Sequence, residues 1–106
     1  MIHDEESLQD IQKKVDDWII RNGGYWNPLS MTCAIIEEVG EVAREINSIE
    51  GYKPKKSYEK SDLAEEMGDL VFSIICLANY YQVDLGDSIL KTIKKYSTRD
   101  ANRFLK

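Results

Sequence analysis

The residues best suited to chemistry stand in two acidic clusters, Glu37-Glu38-Val39-Gly40-Glu41 and Glu65-Glu66-Met67-Gly68-Asp69. Each lies inside an apolar run with helical spacing. An α-helix turns about 100° per residue, so residues three or four apart share a face. Glu38 therefore points the same way as Glu41, and Glu66 the same way as Asp69. The apolar neighbours of both clusters must face a core, which draws these carboxylates towards the interior. Like charges gathered there repel one another and lose hydration unless a cation compensates them. An all-oxygen donor set suits a hard ion such as Mg²⁺ or Mn²⁺. The residues thus predict a magnesium site between two helices. The competing explanation for any acidic pair is a solvated helix face, and Asp16, Asp17, Glu45 and Glu59 are read that way.

Four helices are expected to position these clusters. The first begins after Asp4, with Glu5 and Glu6 in its first turn. Leu8, Ile11, Val15, Trp18 and Ile19 form its apolar stripe, and Asn22-Gly23-Gly24 ends it. An aromatic connection, Tyr25-Trp26-Asn27-Pro28, leads into a second helix from Pro28 or Leu29 to about Glu50. Met31, Ile35, Val39, Val42, Ile46 and Ile49 make its broad apolar face, widened by Cys33, Ile36 and Ala43. Gly51 stops it, and Tyr52 to Ser57 forms a basic loop. The third helix spans roughly Asp62 to Gln82, with Ser61 or Asp62 as its cap. From Leu70 to Tyr81 it is apolar on nearly every side, more than three neighbours in one small chain can cover. That points to a homodimer or homotetramer. A fourth helix runs from Gly86 or Asp87 to Tyr96, with Ile89, Leu90, Ile93 and Tyr96 inward. No segment alternates with a period of two, so the fold class is all-α, a four-helix-type bundle completed by oligomerisation.

Length and composition narrow the function. A chain of 106 residues reads as one domain, residues 1–106, with a single modest core. A net charge of -5 excludes a nucleic-acid polymer as partner, since such proteins present a basic stripe. An acidic protein still accepts phosphates where metal ions and lysines lie between. The first ten residues are polar and acidic, unlike a targeting peptide. The longest apolar stretch, Leu70 to Ala78, is too short to cross a bilayer, so no membrane partner is expected. Cys33 and Cys76 fall in apolar helical patterns and read as reduced core residues, which fits a cytoplasmic protein. His3 is the only histidine and lies near the chain start, so a catalytic base is expected among the carboxylates.

Glu-Glu-x-x-Glu (Glu37, Glu38, Glu41) followed after a linker by Glu-x-x-Asp (Glu66, Asp69) resembles the signature of the MazG-type all-α nucleotide pyrophosphohydrolases. Tyr25-Trp26-x-Pro28-Leu29 before it and Lys95-Tyr96-x-Thr98-Arg99-Asp100 after it are similar to the small members of that family. The resemblance implies a bundle completed by a partner chain. It also implies Mg²⁺ held by Glu38, Glu41, Glu66 and Asp69, with Glu37 nearby. The implied reaction hydrolyses a ribo- or deoxynucleoside triphosphate between the α and β phosphates, giving a monophosphate and pyrophosphate. Such an activity serves house-cleaning or nucleotide-pool control. Phosphoryl chemistry needs charge neutralised and a water made nucleophilic, and Mg²⁺ supplies both. Glu37, Glu38 or Glu41 can act as base, and sequence does not choose among them.

Around this core lie candidate substrate contacts. Tyr25 and Trp26 either stack on the base or cover the end of the helix pair, while Trp18 is read as core. Lys53, Lys55 and Lys56 either hold the β and γ phosphates or are simply solvated, and the same choice applies to Lys94, Lys95, Arg99 and Arg103. Ser73 stands where some relatives carry tyrosine. Asn79, polar within an apolar run, is read as ordering the bundle. The competing functions are a phosphoribosyl-ATP pyrophosphohydrolase and a non-catalytic helical adaptor. A di-iron protein fits less well, because such sites usually include Glu-x-x-His.

Overall fold

Capping decides where each helix starts. In the computed structural model, which describes residues 6–53 and 62–99, α1 spans Leu8–Arg21, α2 Pro28–Ile49, α3 Leu63–Tyr80 and α4 Leu85–Thr98. Ser7 caps α1 and forms a reciprocal pair with Asp10: each side chain accepts from the other's backbone N–H at 3.0 Å. The helix thus begins three residues later than the expected start after Asp4. Asn27 caps α2 ahead of Pro28, a residue that suits the first turn because its missing N–H has no partner there anyway. Asp62 and Asp84 cap α3 and α4 by accepting from Glu65 and Asp87. Asp84 is therefore a cap, and Leu85 and Gly86 are already helical. At the far ends, Gly23, Gly24 and Gly51 take positive φ, as expected of helix stops. The end of α3 relies instead on Gln82 at φ 57°, a left-handed residue with no glycine to announce it.

The architecture is all-α, with no strand among the described residues. The central pair is α2 with α3; α1 packs on α3, and α4 rests on α1. The core gathers Val15 of α1, Met31 of α2, and Ile75 and Cys76 of α3, with Leu8, Ile19, Tyr25, Leu77 and Leu85 packed around it. A buried polar network ties three helices together beside it. The Gln12 side chain donates to the Asn79 carbonyl oxygen and to the Val83 backbone carbonyl. It also accepts from Leu85 N–H, and Asn79 donates back to the Gln12 carbonyl. Asn79 thus orders the bundle, and Gln12, an unremarked polar position in the α1 stripe, is buried because every one of these bonds is made.

Several expected core positions lie outside. Cys33 is exposed, whereas Cys76 is buried. On α2, Ile36, Val39, Ile46 and Ile49 are exposed, and on α4 so are Ile89, Leu90, Ile93 and Tyr96. The reason is that α2 has its extended contact with α3 and α4 with α1, so apolar positions on their other faces stay uncovered. α3 is divided. Ile75, Cys76 and Ala78 are buried within the chain itself, and the uncovered positions are Met67, Val71, Phe72, Tyr80 and Tyr81.

Candidate active site

The acidic clusters face each other across α2 and α3. Glu38, Glu66 and Asp69 each offer a carboxylate oxygen, and the three oxygens lie within 4.8 Å of one another. Glu38 and Glu66 are half-buried and Asp69 is exposed. Partial burial, and then the charges of Asp69, Glu41, Glu38 and Glu65, push the Glu66 carboxyl above its ordinary value. After desolvation, the neighbouring carboxylates are what oppose ionisation of Glu66. The donor set fits a hard divalent cation, which prefers oxygen ligands and would reverse the repulsion. Glu41 contributes its charge on Glu66, one helical turn from Glu38, but is not one of the three closest carboxylates.

A cavity of about 410 Å³ opens on this cluster and shares Glu38 with it. Its wall runs from Glu37, Glu38 and Ala34 on α2, past Phe72, Ser73 and Cys76 on α3, to Trp18, Asn22, Tyr25 and Trp26. One end is aromatic and the other carboxylate. Trp18 meets Phe72 edge to face, ring centroids 6.0 Å apart, and Tyr25 meets Tyr80 in the same way at 6.4 Å. The Tyr25 hydroxyl donates to Asp16 at 2.5 Å. Desolvation, and then that bond, push the Tyr25 phenol up to about 12.

The structure thus brings Tyr25, Trp26, Glu37, Glu38, Glu66 and Asp69 to one place. Lys53, Lys95 and Arg99 do not line the cavity; Lys95 sits over the ring of Tyr96 on α4. Lys55, Lys56, Glu59 and Arg103 lie outside the described residues. Three readings need correction. Trp18 is 49% exposed and lines the cavity instead of the core, because α1 ends beside the aromatic connection and leaves its last turn uncovered. Asp16 is the acceptor for Tyr25 and not a free surface charge. Glu45 is only 2% exposed, the most buried charged residue described. Phe72 was legible only as part of an apolar run; its position three residues beyond Asp69 was the available signal.

The family model of the MazG nucleotide pyrophosphohydrolase domain matches residues 26–104. The chain belongs to the MazG nucleotide pyrophosphohydrolase family. It is 39% identical over 102 residues to Bacillus subtilis YpjD, an uncharacterized protein, covering 94% of this chain and 92% of that one. The crystal structure of B. subtilis YpjD superposes with a TM-score of 0.81 at 38% identity, over 92% of this chain and 99% of the other. A Bacillus-conserved MazG protein whose crystal structure is that of a nucleotide pyrophosphohydrolase gives 0.76 at 35% identity, over 92% and 96%. The four-helix MazG bundle is therefore shared along nearly the whole chain. A pyrophosphohydrolase is the class of enzyme to which these similarities assign it.

Proposed function

We propose that this MazG chain hydrolyses a nucleoside triphosphate between the α and β phosphates, releasing a monophosphate and pyrophosphate. The observation that carries this is a single cavity with an aromatic end and a carboxylate end, sized within the range of small-ligand sites. A nucleotide has matching halves, a flat base and a string of anionic phosphates. Carboxylates alone would repel those phosphates, so the acidic end serves them only through a cation.

In this reading Glu38, Glu66 and Asp69 hold Mg²⁺, with Mn²⁺ as a substitute, and Glu41 adds charge from the adjoining turn. Once bound, the cation supplies charge neutralisation on the phosphate oxygens and a more acidic water. Glu37 lies on the cavity wall outside the three-carboxylate group and takes the proton from the attacking water. Trp18, Phe72 and Trp26 offer aromatic surface to the base, while Asn22 and Ser73 are the polar groups available to distinguish one base edge from another. Tyr25, held by Asp16, keeps the aromatic end in place. Lys95 and Arg99, on α4 and outside this wall, meet the phosphates only where a second copy carries them across. Such a copy is expected, because Leu29, Ile36, Val39 and Ile46, at spacings of three and seven along α2, are all exposed.

A panel of ribo- and deoxynucleoside triphosphates with Mg²⁺ tests the reading. Monophosphate and pyrophosphate in equal amounts are expected from at least one of them. Diphosphate and orthophosphate as products, or no turnover across the panel, would contradict it.

A further inference from the structure

Glu45 stands apart from the acidic residues so far given a task. It lies on α2, one turn beyond Glu41, and is almost wholly buried at 2% exposure. Its carboxylate accepts a hydrogen bond from the backbone N–H of Asp62 at 3.1 Å. Asp62 is the N-cap of α3: its side chain accepts from Glu65 N–H at 2.9 Å and its carbonyl from Glu66 N–H at 3.1 Å. The bond therefore fastens the start of α3 to the C-terminal part of α2. A buried charge is kept in a small protein only where its hydrogen bonds compensate its lost hydration.

The register makes this fastening relevant to the site. The two helices run antiparallel, with Glu45 against Asp62, Glu41 acting on Glu66, and Glu38 beside Asp69. These are successive rungs, one per helical turn, and the Glu45 bond is the rung next to the carboxylates. Repulsion among Glu38, Glu41, Glu66 and Asp69 tends to push the helices apart or past one another. A directional bond one rung away opposes that slip.

Resting on the metal reading above, we infer that Glu45 is a positioning residue: it fixes the α2–α3 register that brings the cation-binding carboxylates together. It touches neither substrate nor cation. The role depends on its oxygen as an acceptor, so glutamine should replace it and a similarly long apolar side chain should not.

The test compares Glu45→Met, Glu45→Gln and Val15→Ala with wild type, each shown to be folded by circular dichroism. Two quantities are measured: amide exchange at Asp62, Glu65 and Glu66 in EDTA, and Mn²⁺ affinity by titration without nucleotide. Glu45→Met should exchange faster at the α3 cap and bind Mn²⁺ about tenfold or more weakly, the scale seen when groups that orient metal ligands are removed. Glu45→Gln should stay near wild type in both. Val15→Ala, a core truncation on α1, should melt earlier yet keep its Mn²⁺ affinity. Wild-type affinity in Glu45→Met, a glutamine variant as weak as the methionine one, or an equal loss in Val15→Ala would each overturn the positioning role. Absence of Mn²⁺ binding in wild type would instead overturn the metal reading beneath it, and the exchange data would then report on the clamp alone.

Discussion

Glu38, Glu66 and Asp69 meet because each sits at the one position of its helical turn that points into the α2–α3 seam. Crowded carboxylates favour function over stability, and this fixes the sign of the first prediction. Glu38→Gln or Asp69→Asn should lower turnover about a thousandfold, the equivalent of roughly 4 kcal/mol of lost transition-state stabilisation. In EDTA the same variants should melt at or above the wild-type temperature, since a repelling charge has been removed. Retained turnover in both would end the assignment. Tyr25 gives the second prediction. Its folded pKa of about 12 lies above the ordinary 10, so folding favours the protonated phenol. The stabilisation is complete below pH 10 and is lost as pH rises through 12. A tyrosinate absorbance titration, differenced against Tyr25→Phe, should place the transition near 12, and Asp16→Asn should bring it down. A transition at 10 in wild type would contradict the buried pairing. At this scale the meeting of Glu38, Glu66 and Asp69 was legible because their spacing is a local property. The fates of Asp16, Glu45 and Trp18 were not, because each depends on a partner outside its own helix or on an uncovered helix end.

Helix limits were legible almost to the residue for α2 and for the start of α3, while α1 begins three residues later than expected because the Ser7–Asp10 capping pair sets its start. Asn27-Pro28 and Gly51 bracket α2, and Asp62 opens α3. The stop of α3 at Gln82 was harder to place, because a non-glycine residue with positive φ leaves no mark in sequence. Asp62 serves both local structure and the α2–α3 contact. Asp62→Ala should therefore cost about 1 kcal/mol, the usual size of a lost N-cap. The measurement is chemical denaturation, and an unchanged midpoint would show that the cap contributes nothing. Gln12 belongs to the same scale. Its hydrogen bonds reach α3 and the start of α4, and a sequence read helix by helix has no way to pair residues more than sixty positions apart.

At the scale of the whole molecule, the chain leaves more apolar surface uncovered than a small soluble protein usually shows. On the expected all-round apolar α3, Ile75, Cys76 and Ala78 are buried while Val71, Phe72 and Tyr80 stay exposed, and further exposed apolar surface lies on α2 and α4. Ile36 on α2 is 65% exposed and Leu90 on α4 68%. Large exposed apolar patches mark interaction sites, and a two-fold contact between identical chains, the second copy proposed above, is the commonest arrangement. Light scattering should give the wild type a multiple of 12.2 kDa, and Ile36→Glu should shift it towards the monomer. A fully active wild-type monomer would contradict the second copy. Periodicity identified these faces as apolar, but which of them stays inside one chain is settled only by how the helices pair.

The proposed chemistry depends on a divalent cation bridging α2 and α3, and the melting temperature as a function of Mg²⁺ tests that bridge most directly. A ligand bound only by the native state adds about 2.7 kcal/mol at a hundredfold excess over its dissociation constant. The wild type should therefore gain stability steadily as Mg²⁺ rises, while Glu41→Gln and Glu66→Gln at matched ionic strength should gain little. An equal rise in all three proteins would mean that Mg²⁺ acts as a salt and that no metal site joins the two helices.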